Sequence, residues 1–377
     1  MAKYSVVVYG ASGYTGMLIM DWLIDQNIAF TAVARDAGRT REMMAQRVVR
    51  LESATYEIIE VDHTVESLTQ AFKGAKVVCN TVGPFAKFGL TTVEAALNAG
   101  CHYLDTTGEQ SFVRNVRDQF GERFAQAGLL VSPSLAYMNT FSEIAAELAL
   151  EHPGIDALET SALCRGQRGI GAGVTVGSTA SIFEMYRAEH CYLWDKKLVA
   201  HPVDASFLIP SPHFMQAVFA LPWGGTSLPI YFENDSRVRS CVSCVGFYDN
   251  DAMKMVHSLN QKWEAEYKHL PPEAQDEVLK NIVQATTPAM PPRERTTLMR
   301  TVDTAIGRGQ LSAVRAEVFG TTAYIATGAL QVAGVIKLLN GENAKVGFAS
   351  GSKAFGHRYL LGFCEERGLA RAVVTTL

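Results

Sequence analysis

The sequence predicts an α/β protein: a doubly wound parallel sheet at its start, then a second, α+β domain on an antiparallel sheet. Three observations carry that expectation. Short apolar runs rich in Val and Ile alternate with amphipathic stretches over the first third of the chain, the pattern of strands buried on both faces between crossover helices. A glycine-rich turn, Gly10-Ala11-Ser12-Gly13-Tyr14-Thr15-Gly16, joins the first run to the first amphipathic stretch. Beyond residue 155 the pattern becomes that of longer sheet strands. At 377 residues, 48% of them hydrophobic, the chain can fill two cores.

The elements follow in order. Ser5–Tyr9 reads as the first strand, and Met17–Ile24 has the composition of a helix packed on a sheet. Phe30–Ala34, Tyr56–Val61, Ala75–Asn80, Cys101–Asp105 and Leu129–Ser132 read as strands two to six, with amphipathic segments such as Thr91–Ala99 between them. This is a Rossmann arrangement, expected over residues 1–134. A helix over Phe141–Leu150 leads into a second domain, expected over residues 135–322. There Ala157–Cys164 and Arg237–Phe247 read as strands, with a helix over Thr179–Ala188 crossing between them. The apolar stretch Phe214–Gly225 suits a substrate pocket, a dimer seam or plain core. Asp249–Ile282 reads as helical. The proline-rich span Thr286–Arg295, with Gly307-Arg308-Gly309, reads as a surface loop, with a lid or a dimer arm as alternatives. Ala323–Ile336 is expected to be a buried helix, short for a membrane span, and residues 323–377 a helix, loop and helix returning to the first domain.

A glycine-rich turn between a first strand and a first helix has a physical purpose. It turns the backbone tightly and brings bare N–H groups at a helix start up to a phosphate. Gly10 would make the turn, Gly13 would let a pyrophosphate approach, and Gly16 would let helix and strand pack closely. The end of strand two then selects the adenine ribose: an acid there accepts from the 2′-hydroxyl of NAD, an arginine meets the 2′-phosphate of NADP. Arg35 stands at that place, with Arg39 and Arg41 close behind, which favours NADP(H); Asp36 leaves NAD open.

Other chemistries lack their residues. The net charge of −4, with no block of like charge, offers no footprint for nucleic acid and no polybasic membrane patch. Seven scattered cysteines suit a reducing compartment, and no signal peptide precedes the first strand, so a cytoplasmic location is expected. Cys241 and Cys244 lie on a strand with no second pair, no histidine spacing suits a metal, and no G-x-S-x-G elbow occurs. No metal is expected.

Two further strand ends, Asn80-Thr81-Val82-Gly83-Pro84-Phe85-Ala86-Lys87-Phe88-Gly89 and Tyr103-Leu104-Asp105-Thr106-Thr107-Gly108-Glu109, stand in order behind the glycine turn. Together the three stretches resemble the saccharopine dehydrogenase-like oxidoreductases, on the branch that holds the trans-acting enoyl reductases. The resemblance covers residues 1 to about 134. It implies an NADP(H)-binding domain in which Gly10, Ser12, Gly13, Tyr14, Thr15 and Gly16 form the nucleotide turn. Nicotinamide would lie across Val82-Gly83-Pro84-Phe85, and Asp62 falls where such proteins hold the adenine. Phe85 or Phe88 would stack beside the nicotinamide or fill the core. Gly108-Glu109 closes the third stretch, and Glu109 would bond the nicotinamide ribose or the substrate, or cap the helix beginning near Ser111.

After strand six the likeness weakens: Ser132-Pro133-Ser134-Leu135-Ala136-Tyr137-Met138-Asn139 replaces the turn usual in the family. Tyr137 and Asn139 are the candidate donors to an enolate oxygen, and Tyr137 the candidate proton donor; wall packing is the alternative for Tyr137. The leading expectation is an NADPH-dependent reductase of a conjugated C=C bond in an apolar, lipid-like or polycyclic substrate. The alternatives are saccharopine-type C–N oxidoreduction, with Arg165 and Arg168 clamping a carboxylate, and an NADP(H)-sensing protein without turnover. Paired subunits are the expected assembly; membrane contact is not expected.

Overall fold

Val6-Val7-Val8-Tyr9, fully buried, forms strand β1 at the switch point of a seven-stranded parallel sheet. The chain is described by a computed structural model at residues 1–166, 173–224, 226–287 and 289–377. β2 (Phe30–Ala34) and β3 (Tyr56–Glu60) lie on one side of β1. β4 (Val77–Asn80), β5 (His102–Asp105), β6 (Leu130–Ser132) and the two-residue β15 (Gly347–Phe348) lie on the other. Tyr9 is in register with Val33 and Asn80, and Asn80 with Asp105, so the carboxyl ends of four strands finish level on one edge. Ligands bind at that edge, where the strand order reverses.

The strands form where expected to within two residues. α1 (Tyr14–Asp25), α2 (Ala37–Arg47), α3 (Val65–Phe72), α4 (Phe85–Ala99), α5 (Gln110–Gln126) and α6 (Tyr137–Leu150) connect them and lead on. α6 starts four residues earlier than the expected Phe141, which places Tyr137 and Asn139 in its first turn. The expected buried helix spans Tyr324–Asn340 and packs on α1: Trp22 Nε1 donates to Ile325 O at 3.0 Å, and a Cβ at Gly328 would lie 3.0 Å from the Leu18 backbone. Among the described residues no helix is long and apolar enough to cross a membrane. Residues 1–107, 112–137 and 324–364 form this first compact unit.

The second unit comprises residues 108–111, 138–323 and 365–377. Its sheet runs in the order β10 (Phe207–Ser211), β11 (Gln216–Leu221), β12 (Ser240–Phe247), β7 (Ile155–Arg165), β13 (Arg300–Gly309), β14 (Ala313–Gly320), β16 (Ala370–Thr376). The hairpin β8 (Cys191–Trp194) and β9 (Lys197–Ala200) pairs with β12 off this path. The pairs are antiparallel except β7 with β12, which makes the sheet mixed. Two expectations are corrected here. Gly307-Arg308-Gly309 closes strand β13 and is no loop; a Cβ at Gly309 would fall 1.9 Å from Gly154 O, a close approach that requires glycine. The chain's last stretch is strand β16 and not a helix, and it joins the second sheet. Cys241 and Cys244 are buried and unbridged, each thiol pushed up to about 12 by burial, and no group of His, Cys, Asp or Glu among the described residues could hold a metal.

Candidate functional site

The glycine turn has the geometry its spacing requires. Gly10 follows β1 at φ +88°, a conformation other residues rarely adopt, and a Cβ there would meet Thr81 Oγ1 at 2.5 Å. Gly13 N donates to Gly10 O at 2.8 Å, closing the turn, and Gly13 is the N-cap of α1 with no side chain to satisfy the first-turn donors. A Cβ at Gly16 would fall 2.5 Å from Gly10 O, so α1 can lie this close to the turn only with glycine there. Ser12 and Thr15 are half-buried beside these donors; Tyr14 is buried, its ring edge-on to Tyr324 at 5.2 Å. The result is a bare backbone turn at the positive end of a helix, which fits a pyrophosphate.

At the end of β2 the two candidate ribose contacts have different fates. Asp36 is the N-cap of α2, its Oδ1 accepting from Arg39 N at 2.8 Å. Arg35 is exposed and, like Arg39 and Arg41, enters no ion pair among the described residues. Its charge acts on two neighbours to which the sequence assigned no site role, Tyr9 and His63. Tyr9 OH and His63 Nδ1 are 2.7 Å apart with the rings nearly parallel, and Phe88 meets the His63 ring edge-on at 5.3 Å. Burial pushes the Tyr9 phenol up to about 12, against the pull of Arg35, and holds His63 below its ordinary value. Asp62, exposed, directly precedes His63.

At the ends of β4 and β5, buried polar groups fix the loops. Asn80 Oδ1 accepts from Val82 N at 3.0 Å while its Nδ2 donates to Tyr103 OH at 2.9 Å. Asp105, fully buried, accepts through Oδ1 from Thr107 N and Ser134 N, each at 2.9 Å. Val82, Gly83 and Pro84 are half-buried at the edge, with a cis bond between Gly83 and Pro84. The ring of Phe85 packs against Phe112 at 5.7 Å in the core, and the ring of Phe88 meets His63 edge-on.

Of the remaining candidates, Tyr137 belongs to the first unit; it is 7% exposed, with its N–H donating to Thr327 Oγ1 at 3.1 Å. Gly108, Glu109 and Asn139 belong to the second. Glu109 is fully buried and immediately precedes α5; Asn139 is buried and accepts through Oδ1 from Ser227 N at 3.1 Å. Arg165 lies over the Tyr248 ring at 4.6 Å, and Arg168 falls outside the described residues. Tyr9 and His63 are the residues to which sequence reasoning gave no role in the site, although each closes or follows a strand that it had located.

Comparison with known proteins agrees with this geometry. Residues 6–131 match the saccharopine dehydrogenase NADP binding domain, so NADP(H) is the cofactor of the first unit, and residues 140–377 match a family of unknown function, DUF5938. A Mycobacterium tuberculosis protein provisionally named a trans-acting enoyl reductase is 31% identical over 194 residues, 48% of this chain and 44% of that protein. A lipid droplet localized protein of Caenorhabditis elegans is 28% identical over 35% of this chain and 32% of its own length. The chain thus matches less than half the length of these relatives. Saccharopine dehydrogenase (L-Glu forming) of Saccharomyces cerevisiae shares the fold, with a TM-score of 0.65 over 99% of this chain and 100% of that one, at 11% identity.

Proposed function

The chain belongs to this family of unknown function, and from that premise and its NADP-binding unit we propose that it is an NADPH-dependent reductase. Its substrate is a conjugated C=C bond, an enoyl or enone group, in an apolar lipid-like or polycyclic molecule. The observation that carries the reading is the glycine cradle at the carboxyl edge, with Arg35, which enters no ion pair among the described residues, at the end of β2. The name of the mycobacterial relatives supports the reaction type.

When bound, NADPH supplies the hydride. The protein's part is to hold and orient. The first-turn N–H groups of α1 bind the pyrophosphate, and Arg35 takes the 2′-phosphate while Asp36 is tied to the α2 cap. The stretch Val82-Gly83-Pro84, pinned through Asn80, forms the floor under the nicotinamide. Tyr137 holds the proton that the substrate carbon receives after reduction. Paired subunits and an apolar substrate, with no nucleic-acid partner, complete the proposal.

Fluorescence titration with NADPH and NADH, followed by turnover of the NADPH complex against enones, enoyl thioesters and imines, tests it. Preference for NADPH with oxidation by an enone or enoyl thioester is the expected result. Consumption of an imine alone would replace C=C with C–N chemistry, and tight binding without any acceptor would make the protein a sensor. Binding of neither nucleotide would overturn the reading.

A further inference from the structure

In the second unit a cleft of about 790 Å³ opens at the end of β7 and β13, where Arg165, Gln216, Tyr248, Asp249 and Arg300 meet. That volume is in the range of small-molecule sites. Arg165 and Arg300 stand directly opposite each other across the antiparallel β7–β13 pair, so they leave the same face of the sheet. On that face the preceding pair, Leu163 and Val302, is covered by Phe214 and Val218. The arginines beyond are both exposed.

Two like charges directly opposed destabilise a sheet unless something neutralises them. Among the described residues no carboxylate does: neither arginine enters an ion pair. Each is held by an uncharged partner instead. Arg165 lies over the Tyr248 ring, which fixes its plane and leaves its N–H edge to present; Arg300 Nη1 donates to the carbonyls of Thr296, at 2.8 Å, and Met299. The acids of the cleft have partners elsewhere. Asp249 Oδ1 accepts from Ala252 N at 3.1 Å, and Asp251 lies 3.7 Å from Lys254.

We infer that this cleft binds a small molecule bearing an oxyanion, a carboxylate or a phosphate, between Arg165 and Arg300. Two guanidinium groups held by non-acidic partners match the paired oxygens of such a group, and Gln216 and Asp249 face its polar body. The inference rests on neither the cofactor nor the proposed reaction.

Titration of the whole protein at low ionic strength with inorganic phosphate and, separately, malonate tests it by calorimetry. At least one anion should bind saturably. Arg165→Ala and Arg300→Ala should each weaken that anion by about 10- to 100-fold. Arg165→Lys, which keeps the charge but loses the planar fork, should fall between. Preference for phosphate or for malonate assigns the source of the oxyanion. Circular dichroism and a thermal melt of each variant report that it is folded, and Arg165→Lys serves if the alanine variants are not. Absence of saturable binding to the wild type, or variants that bind as the wild type does, would overturn the inference.

Discussion

Replacing Gly16 by alanine tests whether the glycine turn positions a helix for a phosphate or merely reverses the chain. A Cβ at Gly16 falls 2.5 Å from Gly10 O, 3.1 Å from Gly10 C and 3.2 Å from Ala11 Cα. All three are backbone, so no side chain can rotate away, and α1 must move off the end of β1. Overpacking of this kind costs about 1–3 kcal/mol. Alanine returns about 1 kcal/mol of helix propensity, so the net destabilisation is at most about 2 kcal/mol. For a domain of this size that is a fall in Tm of up to about 8 °C. The effect on NADPH should be larger in proportion if, as proposed, the displaced N–H groups are the ones that meet the pyrophosphate; a loss of tenfold or more, about 1.4 kcal/mol, is expected. Gly13→Ala is the control: its Cβ approaches one atom, Gly10 O, at 3.0 Å, in a backbone conformation open to alanine. It should keep the Tm and weaken NADPH alone. Differential scanning calorimetry with nucleotide titration reads both quantities. A Gly16→Ala protein that melts and binds NADPH like the wild type would refute the reasoning.

Three other substitutions probe separate parts of the molecule. Arg35→Ala should weaken NADPH by about 10- to 100-fold and leave NADH unchanged, read by paired fluorescence titrations; equal losses for both nucleotides would place Arg35 away from the 2′-phosphate. Tyr137→Phe should lower turnover by about 10²- to 10⁴-fold at unchanged NADPH affinity, and unchanged turnover removes Tyr137 from the chemistry. Asp303 is fully buried, with Ser142 Oγ donating to its Oδ1 at 2.8 Å, and burial holds its carboxyl well above the ordinary 3.8. Its folded form therefore keeps a proton that the unfolded chain loses, so stability declines as pH rises above about 4; Asp303→Asn should flatten that decline in urea melts from pH 4 to 8, and an identical slope would count against it.

The first sheet was legible because its central strands are short runs rich in β-branched residues, closed by a residue that breaks them, as Gly10 closes β1 and Asn80 closes β4. The second sheet hid three features for physical reasons. The β8–β9 hairpin turns through Asp195 and Lys196, both at positive φ, without the Asn-Gly or Asp-Gly pair that marks such turns. Pairing of β7 with β12 is parallel, and side-chain period says nothing about strand direction. Strand β16 carries the β-branched run Val373-Val374-Thr375-Thr376, but the preceding helical pattern concealed it. In the nucleotide edge the backbone contacts were readable from glycine spacing. The Tyr9–His63 contact was not, since its partners are 54 residues apart and meet only when β1 and β3 have been placed in one sheet.

That contact decides how the ribose end should respond to its surroundings. Burial holds the Tyr9 phenol protonated and the His63 ring neutral at ordinary pH, and the Asp36 carboxylate is engaged with the α2 cap. From about pH 7 to 9 these groups beside Arg35 therefore do not change charge. The same Arg35 is exposed, so its attraction for a doubly charged phosphate is open to screening. Selectivity for NADPH over NADH should accordingly stay level across that pH range and shrink as salt is raised. A preference that titrates near pH 7 would instead make His63 a contact of the phosphate in its own right, with a folded-state pKa that the bound nucleotide raises.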